Sequence, residues 1–324
     1  MPDVTARKSR LLFIVITILL LLFCILSFAF AAEPSTANVH HLLRRFAFSA
    51  SPEESQAVRL QGTQAWLEAQ LHPRAIDDAQ MQALLEPKPA FTNAKGDIAD
   101  AAVYARRLLI REIYSKRQVQ EKLVLHWLDH FSVGVSKVDN HALMARYEET
   151  LRYGALGNFA SLLTSVSKNP AMLMWLDNNY NVSADGAKPN ENFARELLQL
   201  YVMGTDRLNM DGTVQRDGAG HALPNYTQAD VRELAIALSG WGVDCDDEAH
   251  VKRADTCTVS YHADQHRPGT RKLLGWSIPD DGSSKTLSTI IAKLVRHPST
   301  APFQSKELLQ RFVTEHPSPR YVED

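Results

Sequence analysis

Cysteine is scarce, with three in 324 residues, and several familiar motifs are missing altogether. No glycine-rich phosphate loop and no G-x-S-x-G elbow occurs, which removes the common nucleotide-binding and α/β-hydrolase classes. Charge of one sign is not in excess, since 35 Lys and Arg stand against 37 Asp and Glu. No general electrostatic drive toward nucleic acid or anionic lipid follows, and no nucleic-acid partner is expected. No period of 20 to 50 residues recurs, so a repeat architecture is excluded. Only 15 Gly and 15 Pro accompany a 45% hydrophobic composition, which excludes collagen-like and disordered chains and predicts a packed core.

What is present begins at the N-terminus. Arg7, Lys8 and Arg10 precede an uncharged, mostly apolar run from Leu11 to Ala32, the pattern of an export signal. Ala29-Phe30-Ala31 has the small-x-small spacing of signal cleavage, so residues 1–31 read as a signal peptide. The run is also long enough to span a bilayer, so an uncleaved anchor over residues 11–32 in the inner membrane stays open. Either way the basic side stays in the cytoplasm and residues 32–324 are exported, to the periplasm or beyond. Any membrane contact then passes through this segment alone. Cys24 follows the bulky Phe23, which argues against a lipid-attachment site. Cys245 and Cys257 are the remaining thiols, and in an oxidising compartment they are expected to form a disulfide worth about 3 kcal/mol.

Helical signals dominate the exported part, and the fold expected is mainly α: one multi-helix domain with a small hairpin or loop excursion. Ser51-Pro52-Glu53-Glu54 reads as a capping box opening a helix that runs to about Leu71. Arg106 to Phe131 predicts one long or two consecutive helices. At 100° per residue Leu123, Val124, Trp127, Leu128 and Phe131 share one arc. Trp127 then points inward, with Lys122, His126 and Asp129 outside the arc. Asn158 to Leu176 predicts a helical pair broken at Pro170. A further helix is predicted over Glu191 to Met203, capped by Asn190 and ended by Gly204. Asp211-Gly212 and Asp217-Gly218 suggest a hairpin or ordered loop within 205–225. Helix returns at Thr227 to Ser239, Lys285 to Leu294 and Pro302 to Val313, with a second polar excursion over 244–284.

Three constellations carry polar chemistry. His126 and His130 are four apart on one helix, the separation that lets two imidazoles meet one metal ion, but no Glu follows the first His as the zinc-protease motif requires. A buried, hydrogen-bonded His130 is the commoner arrangement for such a position. Glu191 and Arg195 stand four apart in the favourable order, with Asn192, Glu196 and Gln199 on a second face. Glu191 and Glu196 lie about 140° apart around that helix, too far to act as a carboxylate pair on one atom. Tyr261-His262-Ala263-Asp264-Gln265-His266 places two His and an Asp on a loop. Arg207 to Gly218 faintly resembles a calcium loop, but Arg207 occupies the first ligand position and Gly218 the last.

The chain resembles a bacterial family known as domain of unknown function 1800. The resemblance rests on His41-Leu42-Leu43-Arg44-Arg45 with Phe48, on Glu121-Lys122 with Trp127 and His130-Phe131, and on Gly157-Asn158-Phe159. It continues through Pro170-Ala171-Met172-Leu173 and Leu176-Asp177-Asn178, then Asn190-Glu191-Asn192 with Ala194-Arg195-Glu196-Leu197. Tyr226-Thr227, Asp230-Val231-Arg232 and Gly240-Trp241 complete it. Ser49 stands where the family has Gly, His126 where an apolar residue is usual, Gln199 where a second acid is usual, and Arg267 where an Asp commonly follows the aligned His266. The better-supported polar set is therefore His130, Glu191, Arg195 and Glu196. Family members continue past the segment matching Lys306 to Thr314, so C-terminal helices are expected to be missing from this chain. The resemblance implies no settled activity; genes for exported sulfatase-like proteins often lie beside those of relatives, which implies a possible partner of that kind.

Two functions follow as expectations. One is an exported helical binding or assembly protein of the cell envelope, in which His130, Glu191, Arg195 and Glu196 form a structural network. The other is an envelope hydrolase in which His130 and a carboxylate of the Glu191 to Glu196 helix act as general base or metal ligands. The residues name no cofactor and leave open whether a metal binds.

Overall fold

Local capping chemistry sets most of the helix boundaries. The computed structural model describes residues 35–85, 101–245 and 257–324; the segment read as signal or anchor, 1–31 or 11–32, lies outside them. Ser35 Oγ accepts the Asn38 amide to open α1 (Thr36–Phe46). Ser51 and Glu54 form the expected capping box of α2 (Pro52–Gln61). The single helix expected as far as Leu71 is broken at Gly62, whose φ of 90° is available to glycine, and α3 (Thr63–Leu71) starts afresh. After α4 (Ala79–Leu85), the stretch around Arg106 to Phe131 forms two helices, α5 (Ala101–Tyr114) and α6 (Gln118–His130).

Next come α7 (Val135–Val138), then α8 (His141–Gly154), α9 (Phe159–Ser167) and α10 (Pro170–Trp175), the last three capped by Asn140, Asn158 and Asn169 side chains. Pro170 sits at the first turn of α10, where its missing amide costs nothing. The helix expected from Glu191 to Met203 is α11 (Asn192–Glu196) running directly into a π-helical turn, Leu197–Val202, and Gly204 beyond it has φ 74°. Segment 205–225 is an ordered loop pinned by the bridges Leu208↔Val214 and Arg216↔Ala222. Thr227 and Asp230 box the start of α12 (Gln228–Ala237).

The second polar excursion holds two antiparallel hairpins. β1 (Trp241–Asp244) pairs with β2 (Thr258–Tyr261), and β3 (Arg271–Leu273) with β4 (Trp276–Ile278). Asp244 lies opposite Thr258, so the next residues outward, Cys245 and Cys257, meet as a disulfide. α13 (Lys285–Leu294), α14 (Thr300–Phe312) and α15 (Pro319–Glu323) complete the chain. The protein is mainly α: among the described residues it has 15 helices and two sheets of two strands. No helix among them is long and apolar enough to cross a membrane.

The core lies where α6, α8, α9 and the α11 segment meet. Phe131, Tyr147, Leu151, Leu163, Phe193 and Leu197 are fully buried there. Trp127 points inward as its helical arc requires, and its Nε1–H donates to the Ala155 carbonyl at 3.1 Å. His126, off that arc, is nonetheless buried. α14 covers its face of α6, with Phe312 6.2 Å from the imidazole between ring centres. A helical wheel records one packed face, and α6 has two.

Candidate functional site

His130 closes α6 and faces the end of the π-helical turn. The last carbonyls of any helix have no partner within it. Here the Nε2–H of His130 donates to the Tyr201 carbonyl at 2.9 Å. Gln304 of α14 donates to the same carbonyl at 2.9 Å and to that of Val202 at 3.2 Å. The carbonyls of Met203, Gly204 and Asp206 all accept from Asn225 Nδ2. Burial holds the His130 ring below the usual imidazole range, against the raising effect of the Tyr201 bond. A neutral ring whose one N–H is held by a carbonyl is a capping group.

Glu191 and Arg195 pair at 3.1 Å on the rim of α11. Gln228 bridges them, donating to Glu191 Oε2 at 2.6 Å and accepting from Arg195 at 3.1 Å, while Arg232 approaches Glu191 at 3.5 Å. The cluster fastens the start of α11 to α12. Glu196 lies near the Tyr201 and Tyr226 phenols, both pushed above their ordinary range by burial and, for each, by its charge. Among the described residues no hydrogen bond or ion pair joins His130 to Glu191, Arg195 or Glu196. The N-cap position of α11 is Glu191, one residue later than the expected Asn190, and it makes no side-chain cap; the Asn190 side chain instead accepts the Asn192 amide at 2.9 Å from just outside the helix.

The buried ionic centre lies elsewhere, between α5, α6 and α8. Arg152 forks onto Glu121 with bonds of 2.9 and 2.8 Å, and also binds Glu148 and, at 3.2 Å, Glu149. Arg111 reaches Glu149 at 2.5 Å and Glu148 at 3.5 Å; Arg107 adds a third cation 3.6 Å from Glu149. Glu148 is wholly inaccessible, and Glu121, Arg111 and Arg152 are buried. Desolvation would lower the Arg152 pKa, but the Glu121 hydrogen bond and the Glu148, Glu121 and Glu149 charges outweigh it and the pKa rises. Arg111, with less support, is lowered by burial and by Arg152. Only Glu121 of this set stood out in the sequence; the i,i+4 pair Glu148 and Arg152, set among apolar residues on α8, is the signal that points to the rest.

A second buried network was hidden in the loop containing His262 and His266. His266 Nδ1 meets Ser239 Oγ at 2.9 Å, and Nε2 meets the Asp280 carboxylate at 2.9 and 3.0 Å. The residue types are those of a nucleophilic triad, but access is lacking: Ser239 is wholly buried, His266 3% exposed and Asp280 6%. Ser239 also donates to the Ile236 carbonyl at 2.7 Å, and Ser183 lies 2.7 Å from it. Asp280 is further engaged by Thr286 at 2.9 Å, the Gly282 amide at 3.1 Å and Arg271 at 3.4 Å. The network joins the end of α12 to the second hairpin. Gly240 makes the approach possible, since a Cβ there would stand 2.8 Å from the His262 carbonyl. The His262 ring meets Ser260 Oγ at 2.8 Å and its amide donates to the Gly240 carbonyl at 2.7 Å, while Asp264 is exposed.

Two cavities border these elements. The larger, about 510 Å³, lies between α1–α3 and the α5–α6 joint, with Leu43, Val58, Trp66 and Ile113 on its walls and Glu53, Gln61 and Lys116 at its lip. Ile113 and Tyr114 beside it are half or more exposed. The smaller, about 320 Å³, lies between α6 and α14 and is lined by His126, Asp129, His130, Glu307, Gln310 and Arg311. Among the described residues no group of three or more His, Cys, Asp or Glu converges closely enough to hold a metal ion.

No curated protein and no solved structure matches the chain. The family described as "Protein of unknown function (DUF1800)" matches residues 41–324, a span that contains the capped π-helical turn, the ionic centre and both cavities, and the chain belongs to that family.

Proposed function

We propose that the protein is an exported binding or assembly protein of the cell envelope and that its polar interior is structural. The observation that carries this reading is the 510 Å³ cavity: it has the size and apolar lining of a ligand or partner site, and Ile113 and Tyr114 extend it onto the surface. The Cys245–Cys257 disulfide supports an oxidising location. A partner of the exported sulfatase-like kind is the first to test. The competing reading, a hydrolase using His130 with a carboxylate of the Glu191 to Glu196 segment, asks for the free ring nitrogen, Nδ1, to work beside that carboxylate, whereas among the described residues no hydrogen bond or ion pair joins His130 to Glu191 or Glu196, and Glu191 is closed on Arg195.

The test is a titration of the purified chain with the fluorescent apolar probe 1-anilinonaphthalene-8-sulfonate, alongside a metal analysis. Saturable one-to-one binding is expected, lost when Ala57 on the cavity wall is replaced by Trp, with no stoichiometric metal. A stoichiometric metal that disappears in a folded His130→Ala variant would overturn the reading in favour of the hydrolase. Binding that ignores Ala57→Trp would remove the cavity from it.

A further inference from the structure

Exposed apolar side chains gather beside the larger cavity. On α5, Leu109 and Ile113 stand one turn apart on one face and are 54% and 62% exposed, while Arg107 and Arg111 point the other way, into the ionic centre. Ile113 and the half-exposed Tyr114 both line the cavity. On α2, Glu53, Ala57, Leu60 and Gln61 share an arc of about 100°. All but Leu60 line the cavity, and Leu60, 77% exposed, continues that face outward. Exposed apolar residues scattered singly are ordinary; a ridge of them running along an apolar hollow of about 510 Å³ is a surface built to be covered.

The rim carries two unspent charges of opposite sign. Glu53 and Lys116 line the cavity and are exposed, and neither side chain makes a hydrogen bond or ion pair among the described residues. Glu54, next to Glu53, is by contrast closed on the Ser49 hydroxyl and the Ser51 amide. A partner carrying charge of one sign would match one of the two free groups and oppose the other. The face that offers both signs, together with a ridge and a hollow of the same apolar character, is this face itself. A two-fold axis brings each feature onto its complement, because in such a contact residue i meets residue j and j meets i.

We propose that this face is a two-fold self-association surface, in which the Leu109 and Ile113 ridge of each protomer enters the cavity of its partner and Glu53 of each pairs with Lys116 of the other. The proposal rests on the binding and assembly reading above and names the occupant of its cavity as a second copy of this chain.

The test is sedimentation equilibrium on the full exported chain at concentrations up to about 100 μM. A monomer–dimer equilibrium is expected, weakened at least about tenfold by Glu53→Lys and likewise by Lys116→Glu, since each variant sets like charges together twice across the axis. Mixed in equal amounts, the two variants are expected to recover the affinity of the unsubstituted chain, because every contact between them then joins opposite charges. Both positions are exposed, so neither change disturbs the core, and circular dichroism checks that the fold is kept. Binding of 1-anilinonaphthalene-8-sulfonate to the dilute chain separates the two ways of failing. A chain that binds the probe but stays monomeric overturns this proposal alone and leaves the cavity to another protein or a small ligand. A chain that does not bind it removes the cavity reading as well. Dimers indifferent to both charge reversals, or variants that do not recover on mixing, would also overturn the proposal.

Discussion

The Nε2–H of His130 donates to the carbonyl of Tyr201 across 2.9 Å, joining the last residue of α6 to the π-helical turn 71 positions later in the chain. One bond thus assigns the histidine its tautomer and the turn one of its missing donors. Replacing His130 by Ala removes that donor and opens a void beside Phe131 and Tyr201, whose rings lie 4.6 and 6.2 Å from the imidazole. A loss of about 2–4 kcal/mol is expected, measured by chemical denaturation, with His130→Asn recovering part of it.

The ionic centre should be the most sensitive polar region of the protein. Glu148→Ala leaves Arg111 and Arg152 buried with too little counter-charge. Stability is expected to fall by about 3–5 kcal/mol, whereas Glu191→Ala, at the half-exposed rim of α11, should cost about 1 kcal/mol or less. Equal losses from the two variants would contradict the placement of the buried charges.

Acid should weaken the fold through His126. Its pKa is lowered from 6.5 to about 4, chiefly by burial and secondarily by His130 and Arg311. The unfolded ring takes up a proton near pH 6.5 and the folded ring does so only near 4, so this contribution is whole above pH 6.5 and is lost as the pH falls to 4. The loss amounts to at most about 3 kcal/mol, and His130, lowered in the same direction, adds to it. Denaturation curves between pH 7 and 4 check this; a His126→Leu variant should show a shallower slope.

Ser239 is expected to be unreactive. A fluorophosphonate that labels activated serines should leave the native chain unmodified, because the hydroxyl is sealed from solvent and donates to the Ile236 carbonyl. Ser239→Ala should instead cost about 1–3 kcal/mol of stability by leaving buried partners unsatisfied. Stoichiometric labelling of Ser239 would turn the His266 and Asp280 network into a catalytic one.

Local features were the legible ones. The box at Ser51, the helix start at Thr227, the proline start of α10 and the bounds of α13, Lys285–Leu294, depend on neighbouring residues and could be read directly. The break at Gly62 went unread because a single glycine inside a helical pattern is compatible with either outcome. The mainly α fold and the disulfide were legible for similar reasons of pattern and compartment. The polar interior was not. Glu121 and Arg152 meet across 31 positions, and Ser239 and His266 across 27. No periodicity encodes such distant pairings; they follow from the packing of α5 and α8 on α6 and of the second hairpin on α12. His126 shows the same limit, since its burial depends on a helix that begins at Thr300.

The state of the His130 ring tests the central claim most directly. A nitrogen-resolved NMR titration of the histidine rings should find His130 as the neutral Nε2–H tautomer at pH 7, protonated only below the usual imidazole range and coupled to the Tyr201 carbonyl. A His130 that titrates near its ordinary value with a freely exchanging ring proton would show that the Tyr201 bond is not made, and would contradict the capping role on which the structural reading rests.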